Sequence, residues 1–183
     1  ELRATTIAVG TSARDNRAVK HLRLRPLPAS LLAATLAAEA VAVALSWGLE
    51  PAWDTGLYGL YAVTQVAVGA LIVSRHPGNR VGWLFIADGA FTAVAADAAQ
   101  GWGLRASAHG WPGGPIGEWF ALSSWIATAP LGVLLFLWFP NGQLTRPGWR
   151  VVAWASVIGA AVELPRWAMD PDLGDQFVGG RNP

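Results

Sequence analysis

The chain contains no cysteine, little charge, and no Lys or Arg inside any of its first four apolar stretches. Without cysteine there are no disulfides, no thiolate metal sites and no thiol nucleophile. Three signatures are also missing: G-x-x-x-x-G-K for a phosphate-binding loop, H-E-x-x-H for a zinc hydrolase, and G-x-S-x-G for a serine hydrolase. His21, His76 and His109 all fall in loops or in a basic arm. A net charge of +1 gives no basic excess for a nucleic-acid partner.

What remains is apolar. Of the 183 residues 53% are hydrophobic and 14% charged, with eleven Trp. Five apolar stretches run Leu27 to Trp47, Leu57 to Ser74, Val81 to Gln100, Trp119 to Phe139 and Val151 to Leu164. A hydrocarbon core of ~30 Å needs ~20 residues at 1.5 Å each, which the first four meet or nearly meet. The fifth has only twelve uncharged residues between Arg150 and Glu163, so it spans only if those side chains snorkel in opposite directions. Trp47, Trp83, Trp102, Trp119, Trp138 and Trp149 lie near the expected helix ends, where an aromatic belt belongs. The expected fold is all-α: a polytopic membrane helical bundle of about five transmembrane helices.

Basic residues set the expected orientation. Ten of the thirteen fall before the first stretch (Arg3, Arg14, Arg17, Lys20, Arg23, Arg25), in the second gap (Arg75, Arg80) or in the fourth (Arg146, Arg150), leaving Arg105, Arg166 and Arg181 for the other side. Cytoplasmic loops retain Lys and Arg, so the N-terminus is expected in the cytoplasm of a multi-pass cell-membrane protein. The domain reading is a basic cytoplasmic arm over 1–26, a five-helix membrane domain over 27–165, and an extracytoplasmic segment over 166–183. Ala42-Val43-Ala44 has the form of a signal-cleavage site, but its apolar run is too long and too far from the N-terminus.

Gly and Pro crowd the outer gap Gly101 to Gly117, which reads as a loop. Pro130 should kink the fourth helix. Ala33 with Ala37, Gly89 with Ala93 and Ala155 with Gly159 have the small-x-x-x-small spacing of close helix packing. Asp170, Asp172 and Asp175 read either as a solvated acidic loop or as oxygen ligands for a hard cation.

Candidates for chemistry inside the membrane are Glu39, Asp88 and Gln65, with Asp97 nearer the outer surface. An ionised carboxylate at a helix centre costs about 2.5–3.5 kcal/mol, so Glu39 and Asp88 should face protein or water. Asp88 and Asp97, nine residues apart, fall on opposite faces of an α-helix. Neutral partners on offer are Thr64, Gln65, Ser123, Ser124 and Thr128. Such groups serve either as a proton- or ligand-responsive site or as interhelical glue worth roughly 0.6 kcal/mol per contact.

Two cytoplasmic loops carry the most specific pattern: RHPGNRVGW over Arg75 to Trp83 and LWFPNGQLTRPGWR over Leu137 to Arg150. Both combine turn residues with Arg and then open a helix with Trp. They resemble the N-terminal membrane region of actinobacterial two-component sensor histidine kinases, which commonly read R-x-P-x-N-P-I-G-W-L and L-F-P-D-G-R-L-P-S-x-x-W-R at these places. Arg75, Pro77, Asn79, Gly82, Trp83 and Leu84 match the first; Phe139, Pro140, Gly142, Leu144, Trp149 and Arg150 match the second. Arg80, Asn141, Gln143 and Thr145 depart from the pattern and remove an Asp–Arg ion pair. Arg181-Asn182-Pro183 is similar to the run that opens a sixth helix in such proteins.

The resemblance implies an input and anchoring region whose kinase half lies beyond Pro183. No catalytic residue, cofactor or metal site is expected in these residues; ATP and Mg would belong to the kinase part. Implied partners are the lipid bilayer, a second copy of the chain through the cytoplasmic part, and a response regulator. The competing expectation is a small multi-pass transporter or ion-conducting protein using the intramembrane carboxylates.

Overall fold

A computed structural model of the chain describes residues 24–140, 142–144 and 146–169, and these are helical apart from four connections. We label the helices α1 (Pro26–Ser46), α2 (Ala52–Arg75), α3 (Arg80–His109), α4 (Gly114–Trp138) and α5 (Gly148–Met169). The basic arm up to Arg23, the acidic residues Asp170, Asp172 and Asp175, and the Arg181-Asn182-Pro183 run lie outside the described residues.

The first four helices are long and apolar enough to cross a bilayer. Helix α5 has 22 residues, ample length, but Arg150, Glu163 and Arg166 restrict its uncharged run and it falls outside that set. Its Glu163 and Arg166 pair with each other one turn apart. The exterior explains the solvent. Leu27, Leu36, Val41, Leu57, Leu60, Val94, Phe136 and Trp154 are exposed while Thr35, Glu39, Asp88, Asp97, Glu118 and Ser123 are buried, an inversion that water would penalise and lipid accommodates.

Helix α3 is the centre of the bundle and packs on α1, α2 and α4; α5 rests on α4 alone. A small apolar core of Val66, Val73 and Ile86, flanked by Leu31 and Leu32, joins the first three helices. Small residues let the backbones approach. A Cβ at Gly89 would collide with the Ala62 carbonyl oxygen, so this glycine fixes the α2–α3 crossing. Of the other small pairs, Ala33 and Ala37 are exposed, whereas Ala155 and Gly159 line a cleft of about 310 Å³ against α4 that also borders Pro130. Helix α4 runs through Pro130 unbroken, and Trp125 meets Trp167 of α5 edge-on at 6.5 Å.

The expected loop over Gly101 to Gly117 is corrected. Helix α3 continues to His109, and only Gly110 to Gly113 connects it to α4, with both of those glycines at positive φ. The inner glycines are contact residues instead of breakers: a Cβ at Gly103 would lie 2.6 Å from Glu118 Cγ, and one at Gly117 would lie 2.8 Å from the Ala99 carbonyl oxygen. The opposition of Asp88 and Asp97 also loses its basis in α-helical phase, because Asp97 lies inside a π-helix over Thr92–Ala98. The two carboxylates still separate, Asp88 toward α2 and Asp97 toward α1.

Candidate functional site

The two motif-bearing loops, far apart in sequence, lie against each other at one end of the bundle. Arg80 stacks over the Trp138 ring at 5.8 Å, and the α-carbon side of Gly142 faces Arg80, where a Cβ would stand 3.6 Å from the Arg80 nitrogen. Between them is a cavity of about 630 Å³ lined by Asn79, Arg80, Trp138, Gln143, Leu144 and Arg150, with Gly78 and Gly142 in its floor.

Uncharged groups hold this end in shape. Asn79 caps α3, its Oδ1 accepting from the backbone of Val81 at 2.9 Å and of Gly82 at 3.3 Å. The Trp83 indole donates to the Pro77 carbonyl at 2.9 Å, tying the turn to the first turn of the helix. Gly82 lets α3 close on α2, since a Cβ there would lie 2.8 Å from both Ile72 and Val73 side chains. In the second loop Gly142, at φ +71°, donates to the Trp138 carbonyl at 2.6 Å, after a cis peptide bond between Phe139 and Pro140. Trp149 and Arg150 donate their backbone N–H groups to Arg146 and Pro147 as α5 begins.

These contacts give Pro77, Asn79, Gly82, Trp83 and Gly142 structural duties. Arg75, at the end of α2, and Arg150, at the cavity, are left with exposed side chains. Neither loop contains an acidic residue, and Arg25 joins this end by donating its backbone N–H to Ser74 of α2.

Inside the bundle, Asp88 and Gln65 come together. Asp88 Oδ2 accepts from Gln65 Nε2 at 3.1 Å and from the Tyr61 hydroxyl at 2.6 Å, while Gln65 also donates to Tyr61 at 2.9 Å. The sequence signal for Tyr61 is its position one turn before Gln65, which puts it on the same face of α2. Glu39 is not in this cluster; its neighbour is Asp97. Ser123, Ser124 and Thr128 satisfy themselves on carbonyls of their own helix.

The opposite end of the bundle is tied by charged groups. Arg105 of α3 reaches the C-terminus of α1, donating to the carbonyls of Leu45 at 2.8 Å, Trp47 at 2.9 Å and Ala44 at 3.2 Å. Those carbonyls have no partner within α1 and sit at the negative end of its dipole. Glu50 accepts from Thr55 and from Gln100, both at 2.8 Å, and buried Glu118 accepts from Ser107 at 2.9 Å.

No family model matches this chain, and no curated protein or solved structure matches it.

Proposed function

We propose that this membrane-spanning helical bundle is the input and anchoring region of a two-component sensor histidine kinase, passing a conformational bias to a cytoplasmic catalytic half. The observation that supports the reading is the meeting of the two motif loops around one cavity, because residues matched separately in sequence then act as one surface. The exposed arginines of that surface are free to meet a cytoplasmic segment of the same protein or anionic headgroups. In this reading the loop end faces the cytoplasm, the N-terminus lies on the same side, and ATP, Mg, a second copy of the chain and a response regulator are engaged by the catalytic half.

The test uses the full-length natural gene product in membranes with labelled ATP. The expected result is self-phosphorylation with the acid lability of phosphohistidine, changed several-fold by the double variant Arg80→Gln, Arg150→Gln at unchanged membrane insertion. A full-length chain that takes up no phosphoryl group contradicts the proposal. The second reading, an ion-conducting or transport protein, draws on Glu39 and Asp97, where both Glu39 oxygens and Asp97 Oδ2 lack hydrogen-bond donors among the described residues; its mark is cation flux into vesicles containing the purified protein.

A further inference from the structure

Helices α1 and α3 both run from the loop end to the far end, in register. Gly101 sits against Ala42, where a Cβ would lie 2.9 Å from the Ala42 carbonyl oxygen, and Arg105 bonds the carbonyl of Leu45 one turn further on. One turn earlier, the same register brings Asp97 to Glu39. Glu39 is 7% exposed and Asp97 8%. Helix α2 closes the side of the pair with Gly59, where a Cβ would lie 2.7 Å from Glu39 Oε2. Among the described residues neither Glu39 oxygen receives a hydrogen bond, and neither does Asp97 Oδ2.

The surrounding charged groups do not neutralise the pair. Arg105 directs its donors at α1 carbonyls, Glu118 of α4 accepts from Ser107, Tyr61 of α2 donates to Asp88, and the next acid toward the far end is Glu50. Two adjacent ionised carboxylates in a membrane interior would add mutual repulsion to a cost of about 2.5–3.5 kcal/mol for each. A hard metal cation of the calcium type gathers about six to eight oxygens, more than the three unpartnered ones here. A proton needs only two.

We propose that Glu39 and Asp97 form a proton-binding site, one proton held between the two carboxyls so that the pair carries a single negative charge. The bound proton supplies the donor that these oxygens lack. Exchange runs to the far end through Glu50, which Gln100 of α3 and Thr55 of α2 hold in place, beside a cavity of about 280 Å³ lined by Ser46, Trp47, Glu50 and Thr55. The site stands independently of the kinase reading.

The test is infrared difference spectroscopy of the full chain in lipid vesicles during a pH titration. One protonated carboxyl per chain is expected, its C=O band lost in Glu39→Gln and in Asp97→Asn and kept in Asp88→Asn. A proton shared by this Asp–Glu pair makes the band shift both when aspartate and when glutamate carboxyl carbons are labelled in the unsubstituted chain, whereas a single acid elsewhere shifts under one label only, which keeps the test valid should a variant fail to fold. A folded, unsubstituted chain without such a band overturns the proposal. So does a band untouched by both substitutions, or one displaced by sodium at constant pH.

Discussion

The two ends of the bundle use charge in opposite ways. At the far end charged groups do structural duty: Arg105 is bound to two carbonyls of α1 and to that of Trp47 just past its end, and Glu50 and Glu118 accept bonds from neighbouring helices. At the loop end the corresponding work falls to an amide, an indole and a glycine turn, namely Asn79, Trp83 and Gly142. The arginines there remain exposed, with Arg80 over the Trp138 ring face. An end that builds itself from neutral groups leaves its cations exposed.

Substitutions break or sharpen that contrast, and unfolding of the purified chain in detergent measures them. The largest expected loss is at the far end, where Gly103→Val drives a branched side chain into Glu118 and should cost about 2–3 kcal/mol. A flexible loop at this position would tolerate the same change. Arg105→Gln removes charge-assisted bonds to the α1 C-terminus and should cost about 1–2 kcal/mol. At the loop end, Asn79→Ala should cost about 1 kcal/mol through loss of the α3 cap. Arg150→Gln should stay within about 0.5 kcal/mol, since its side chain is exposed beside the cavity. If Arg150→Gln destabilises as much as Arg105→Gln, the two ends are not different in kind.

The helices were legible in the sequence because a bilayer demands long uncharged runs, and four of them stand out without any tertiary knowledge. The polar contacts were legible only where both partners were conspicuous, as with Asp88 and Gln65. Gly101, Gly103 and Gly117 were misleading, because glycine marks both a turn and a close approach, and only the neighbouring helix decides which. Arg105 reads as an outer-loop cation for the same reason, since a loop there would put no helix end within its reach. The Glu39–Asp97 pairing depends on the parallel register of α1 and α3. Asp97, Gly101 and Arg105 do recur every four residues, a stripe of small and polar groups that marks the face of α3 turned toward α1.

In the proposed reading the loop end faces the cytoplasm and the far end lies across the membrane. The chain has no native cysteine, so single cysteines report cleanly. Replacing His76 in the α2–α3 connection and Ala108 near the end of α3, then treating cells with a membrane-impermeant thiol reagent, tests the claim directly. The Ala108→Cys protein should label in intact cells, and the His76→Cys protein only after the membrane is permeabilised. Labelling of both from the same side, or the reverse order, would contradict the account.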